Sequence, residues 1–117
     1  MAQAKITAAQ LDDSVTLVKE NSQADNYTLV LSDAEKVITL TGAVAKTFTV
    51  PLNSSVAFPI GTTIAFAQDG AGQLTIAAGG GVTIKTEVGY NLNAQNAMAS
   101  MVKVATDTWR LSGSLKV

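Results

Sequence analysis

The chain has 117 residues, the usual size of one domain with a single core. It contains neither cysteine nor histidine. The absence of cysteine excludes disulfide frameworks, thiolate zinc sites and thiol nucleophiles. The absence of histidine excludes the usual general base near neutral pH. A net charge of −1 with singly scattered lysines and arginines lacks the basic face that nucleic-acid binding requires.

Only 15% of the residues are charged, whereas 47% are hydrophobic. Such a composition favours a protein that covers part of its surface with a partner, and it also fits an ordinary β-domain rich in threonine and alanine. The polar start of the chain predicts no signal peptide, and no apolar run is long enough for a membrane span. We therefore expect synthesis in the cytoplasm and no membrane partner.

The first 26 residues read differently from the rest. Residues 7–13 are compatible with a helix capped by Thr7, whereas residues 14–19 alternate polar and apolar like a strand. Residues 20–26 are polar and are predicted to be a connector. We therefore expect an N-terminal arm or leader at 1–26 and a β-domain at 27–117, with a first strand of the domain as the alternative for the leader.

From Tyr27 onward, short alternating or β-branched segments are separated by glycine, proline and asparagine turns. The predicted strands are 27–31, 37–41, 47–50, 62–67, 74–78, 82–85, 101–104 and 108–111. Residues 51–61 are predicted to form a long shaped loop. Two hairpins are expected, one through the glycines at 79–81 and one through the turn at 105–107. The pattern indicates an all-β fold, a β-sandwich or jelly-roll-like barrel of about eight short strands with a short N-terminal arm.

The carboxylates fall mostly in predicted turns, where aspartate side chains bond the local backbone. A facing pair of glycosidase type is less favoured, and Asp12-Asp13 or Asp33 with Glu35 lack the spacing of a calcium loop. The glycine-rich turns precede strands rather than helices, so they are not predicted to bind phosphate. We predict no enzyme, no catalytic residue, no metal and no cofactor.

Two groups of apolar residues are candidates for binding a partner. Met98 and Met101, set among small residues, could form an adaptable apolar patch or fill gaps in the core. Trp109 is predicted to close one end of the core rather than to stack on a sugar or base. The candidate partner-binding residues, those of the leader included, are Ala4, Ile6, Leu11, Val15, Leu17, Met98 and Met101.

Several segments look like a β-module that recurs in virion structural proteins of tailed bacteriophages. The similar segments are 27–38, 49–51, 53–62 and 70–76, and the run Asn-Ser-Ser-Val-Ala-Phe-Pro-Ile-Gly-Thr at 53–62 is the most specific of them. The resemblance covers most of the chain from Tyr27. Fibre proteins are usually much longer, and in size and style this chain resembles the phage head-decoration (cement) proteins.

The resemblance implies a protein on the exterior of the virion capsid that binds the major capsid protein and stabilises contacts between capsomers. It implies a homo-oligomer, a trimer or dimer, made in the host bacterial cytoplasm. Burial of apolar surface and addition of strands or arms would suffice for this role. The alternative is a tail, baseplate or fibre component that could also bind the host surface.

Overall fold

The computed structural model describes residues 18–117, which are all-β apart from one short 3-10 turn at Leu31–Asp33. Eleven strands lie within these residues. They are β1 (Lys19–Gln23), β2 (Tyr27–Thr28), β3 (Lys36–Leu40), β4 (Lys46–Val50), β5 (Thr63–Gln68), β6 (Leu74–Ala78), β7 (Thr83–Thr86), β8 (Asn91–Leu92), β9 (Met98–Ala105), β10 (Thr108–Gly113) and β11 (Leu115–Lys116).

The strands form two sheets, and the chain passes back and forth between them. Sheet A has the order β1-β3-β5-β9-β10-β7, and sheet B has the order β11-β8-β6-β4-β2. Strands β1 to β6 alternate between the sheets, and the pairs β1–β3, β3–β5, β2–β4 and β4–β6 are parallel. Three successive turns of chain therefore stack as solenoid-like coils, and each coil contributes one strand to each sheet.

The core lies between the two sheets, and strands β4, β5, β6, β7, β9 and β10 bury alternate side chains. Ile38 of β3 is in register with Phe66 of β5, and Phe48 of β4 is in register with Ile76 of β6. All four side chains are buried. Parallel stacking places apolar side chains of successive coils directly above one another, which removes a continuous apolar column from water.

Glycine allows the coils to stack closely at the corner where the chain passes from sheet A to sheet B. The backbone N–H of Gly72 in the third coil donates to the carbonyl oxygen of Gly42 in the second, at 3.1 Å. A Cβ atom on Gly70 would collide with the Gly42 backbone, and one on Gly72 would collide with the Val44 backbone. The close backbone approach therefore requires glycine at both positions.

The C-terminal strands depart from the coil pattern. The β9–β10 hairpin lies between β5 and β7 in sheet A, and its turn contains Asp107 with a φ of 60°. This hairpin and its turn were expected from the sequence and are confirmed. Residues 51–61 are also confirmed as a loop, and Trp109 is confirmed as a core residue at 1% exposure.

The predicted hairpin through residues 79–81 is wrong. Strand β6 pairs with β4 and β8 in sheet B, whereas β7 pairs with β10 in sheet A. Gly79 donates its N–H to the carbonyl oxygen of Val50 at 2.8 Å, and Gly81 has a φ of 89°. The glycines thus form a corner at which the chain passes from sheet B to sheet A. This crossing allows β6 and β7 to cover the core from opposite sides.

Two further expectations differ from the structure. The polar connector predicted at 20–26 is wrong in part, because Lys19–Gln23 forms strand β1, and the strand predicted at 27–31 is limited to Tyr27–Thr28. The all-β class and the presence of two sheets are confirmed, whereas sandwich or jelly-roll connectivity is not. Parallel coils replace the antiparallel pairs that those connectivities require.

Candidate partner-binding face

A trough crosses the outer face of sheet A at right angles to its strands. Its floor is a row of small side chains in register, Ala65 of β5, Ser100 of β9 and Ser112 of β10. Two adjoining hollows, of about 740 Å³ and about 260 Å³, share Ser100 and Ser112. We call this feature the outer trough.

Larger side chains form the two walls of the outer trough. The row beside the floor contains Thr63, Val102, Arg110 and Lys85, one from each of β5, β9, β10 and β7. Met98 stands on the other side and is 50% exposed. Three strand spacings of about 4.8 Å make the trough about 14 Å long, which suits four or five residues of an extended chain.

Two cations lie side by side in the wall. Arg110 and Lys85 are in register on the parallel strands β10 and β7, and both are exposed. Between residues 18 and 117, the one ion pair within 4.0 Å is Lys46–Asp25, so Glu87, which also lines the trough, pairs with neither cation. Like charges directly opposite each other destabilise a sheet, and a bound carboxylate would relieve this repulsion.

The structure separates the candidate partner-binding residues. Met98 is exposed on the trough wall, whereas Met101 is 2% exposed and packs in the core. The two methionines therefore do not form one patch, because they point to opposite faces of β9. The remaining candidates, Ala4, Ile6, Leu11, Val15 and Leu17, lie outside the described residues.

A buried lysine, which the sequence analysis missed, fixes the long loop. Lys103 is 2% exposed, and its Nζ donates to Asn53 Oδ1 at 2.6 Å and to the Phe58 carbonyl oxygen at 2.7 Å. The Nζ atom also lies 5.9 Å from the centroid of the Trp109 ring, within cation–π range. The burial of Lys103 could have been predicted, because it lies two residues after inward-facing Met101 and therefore on the same face of β9. Asn53 and Phe58, both in the loop at 51–61, thus have structural contacts here.

Several carboxylates of the described residues bind groups of the fold itself. Buried Asp33 accepts hydrogen bonds from Asn21 Nδ2 at 2.9 Å, from the Tyr27 hydroxyl at 2.6 Å and from the Val30 N–H at 2.9 Å. Burial and the bond to the Asp33 carboxylate raise the pKa of Tyr27. These bonds use the oxygens of Asp33 within the fold, so it is a structural group.

Three further carboxylates also have partners within the fold. Glu35 accepts from the N–H and hydroxyl of Thr63, and Asp107 accepts from the Asn53 N–H at 2.6 Å. The bond with Lys46 and its positive charge lower the pKa of Asp25. Within residues 18–117, no group of three or more metal-ligating side chains is placed to hold an ion. The outer trough is therefore the feature best suited to recognising another molecule.

Apart from Met98, the outward residues of the trough were not singled out from the sequence. Ser100 and Arg110 alternate with buried Ala99, Met101, Trp109 and Leu111, so their outward direction could have been read from the β9 and β10 patterns. Which of these side chains lie side by side across the sheet depends on which strands are neighbours.

Comparisons with known proteins give no family assignment. No family model matches the chain, and no curated protein or solved structure matches it significantly. No helix within residues 18–117 is long and apolar enough to span a membrane.

Proposed function

We propose that this chain is a virion structural protein of a bacteriophage, and that it acts as a capsid decoration (cement) protein. The outer trough is the observation that supports this role. It offers an open surface with exposed Met98 on one wall and two cations on the other, which suits contact with another protein rather than conversion of a substrate.

The proposed mechanism is attachment without chemistry. The two facing sheets act as a rigid, sandwich-like block that lies on the outer capsid surface, with the major capsid protein as the partner. Copies associate as a small symmetric oligomer, a dimer or trimer, at a symmetry axis of the shell. Burial of apolar surface across the seam between capsomers then stabilises the shell.

The copy number in purified particles tests this proposal. Quantitative mass spectrometry against the major capsid protein is expected to give a count comparable with that protein and in an icosahedral multiple. A count of about a dozen or fewer, as the low cyclic symmetry of a tail requires, would contradict decoration.

A tail, baseplate or fibre component is the second candidate, and the sheet edges favour it. Among residues 18–117, strands β1 and β7 are the two edges of sheet A, and the pairings along the sheet give them the same direction. Coils of neighbouring copies could therefore stack end to end with parallel pairing, as in an elongated fibre. A low copy number together with binding to host cells or a glycan array would support this alternative.

A further inference from the structure

One wall of the outer trough carries two cations that lack an ionic partner among the described residues. Arg110 and Lys85 are in register on neighbouring strands, and both are exposed. Neither has a carboxylate within 4.0 Å between residues 18 and 117. Like charges in direct register repel each other, and a carboxylate shared between them would offset this repulsion. The wall therefore favours an acidic group of another molecule.

A third charge limits where that acidic group can lie. Glu87 is exposed and lines the trough just after the end of strand β7. Strand β7 is at the end of the trough farthest from β5. The negative charge of Glu87 disfavours a second carboxylate at this end. We therefore expect the bound acidic group over Arg110 rather than beyond Lys85.

The dimensions of the trough suit a single extended chain. Rows two residues apart along a strand are separated by about 6.6 Å, so the rows on either side of the floor lie about 13 Å apart. The walls are single side chains, and the trough is too shallow to enclose a helix, whose diameter with side chains is about 10–12 Å. An extended backbone can lie on the small floor residues, and the exposed hydroxyls of Ser100 and Ser112 can hydrogen-bond to it.

Alternation determines which side chains an extended occupant needs. Successive side chains of an extended chain point to opposite sides. When one of them points to Arg110 and Lys85, the residues before and after it point to the other wall, where Met98 is 50% exposed. The flexible thioether of methionine adapts to apolar side chains of different shapes. A segment that fits therefore has an acidic residue between two apolar ones.

We propose that the outer trough binds an extended segment of a partner protein in which an aspartate or glutamate is flanked by apolar residues, with its carboxylate on Arg110 and Lys85. This inference deepens the proposed function, because it states the chemistry that the partner presents. It rests on the virion role only for the identity of that partner, since the chemistry of the segment follows from the trough.

Titration of the full chain with a short peptide tests this chemistry without any virion protein. The probe is the acetylated and amidated peptide Ala-Val-Glu-Val-Ala, which reads the same in both chain directions, and Ala-Val-Gln-Val-Ala is its uncharged control. We expect amide NMR shifts in β7, β9 and β10 that saturate at millimolar peptide. The glutamine peptide should bind about fivefold more weakly, the factor for one exposed ion pair of about 1 kcal/mol. Absence of saturable shifts in these strands, or equal affinity for the two peptides, would overturn the proposal.

Two variants locate the binding in the trough. Arg110→Glu should remove the preference for the glutamate peptide, whereas Lys116→Glu, which reverses an exposed cation on β11 of sheet B, should keep it. Ser100→Phe fills the floor and should abolish the binding of both peptides. Its control, Val104→Phe, places the same ring on the same face of β9 but outside the trough. Unchanged binding by Ser100→Phe, with the β-sheet circular dichroism retained, would contradict binding in the trough.

Cosedimentation with particles that lack the native protein separates this inference from the proposed function. The wild type should bind, Ser100→Phe should lose binding, and Val104→Phe should retain it. Failure of the wild type to bind would contradict the decoration role alone, because the peptide titration decides the chemistry of the trough independently. Full binding of Ser100→Phe to the particles would contradict the trough as the contact with the partner.

Discussion

At the scale of single residues, Lys103 is a buried side chain that connects strand β9 to the loop at 51–61. It is a buried cation whose hydrogen bonds to Asn53 and Phe58 are to neutral acceptors. We expect Lys103→Met to lower the free energy of unfolding by about 1–3 kcal/mol, because the buried oxygen acceptors lose their donor while the apolar stem is kept. Urea denaturation measures the change.

The matched control for this prediction is Lys85→Met on the exposed wall of the trough, which should change the free energy of unfolding by less than about 0.5 kcal/mol. Hydrogen exchange in residues 51–61 should speed up in the Lys103 variant alone. Equal stability of the two variants would contradict the anchoring role of Lys103.

Tyr27 gives a prediction that depends on pH. Its hydroxyl donates to Asp33 at 2.6 Å and accepts from Asn21 at 3.2 Å. We expect Tyr27→Phe to cost about 1 kcal/mol near neutral pH, since these bonds are lost and the ring remains. Burial and the Asp33 bond raise the pKa of Tyr27 above its ordinary value of 10.0. The wild-type contribution is therefore fully present below pH 10.0 and decreases as the pH rises through the higher folded value.

The free-energy difference between the wild type and Tyr27→Phe should accordingly shrink above about pH 10. Urea titrations of both proteins at about pH 8 and about pH 11 measure it, and Tyr90→Phe controls for general effects of removing a tyrosine. A difference that stays constant over this range would refute the assigned cause of the shift.

At the scale of elements, the corner glycines determine whether the coils can stack. We expect Gly72→Ala to lower the free energy of unfolding by at least about 2 kcal/mol, because its Cβ would meet the Val44 backbone, which cannot move as a flexible side chain could. Gly80→Ala is the matched control, since a Cβ at Gly80 meets no atom within 4 Å. Its effect should lie between neutral and a gain of about 1 kcal/mol. Thermal and urea denaturation measure both effects. Equal stability of the two variants would contradict the requirement for glycine at the corner.

At the scale of the whole molecule, we expect the leader and the sheets to have separate roles. Deletion of residues 1–17 should leave the β-sheet circular dichroism and the cooperative unfolding of residues 18–117 intact, because all eleven described strands and the core between them lie within residues 18–117. The truncated protein should fail to attach to particles if the leader is the arm that holds it there. Cosedimentation with particles that lack the native protein measures this, and full binding of the truncated protein would refute the arm.

The sequence by itself determined the chemistry and the local structure. A chain without cysteine or histidine excludes thiol and imidazole chemistry wherever its residues lie. Period-two alternation located most of the long strands and the face that each one buries, as at Ile38 and Leu40, because side chains of a strand point alternately to its two sides. The β9–β10 hairpin was also predictable, because its two strands are joined by a short local turn.

Apart from the β9–β10 hairpin, only the tertiary structure decided which strands are neighbours. The alternation of polar and apolar residues in β6 and β7 is compatible both with a hairpin and with a chain that crosses from one sheet to the other. The crossing is favoured because it covers the core from both sides. The outer trough follows from that choice, because Arg110 and Lys85 become neighbours only when β10 lies beside β7. Parallel pairing joins residues that are distant in the chain, so no local pattern carries it. The free energy of the packed core determines it.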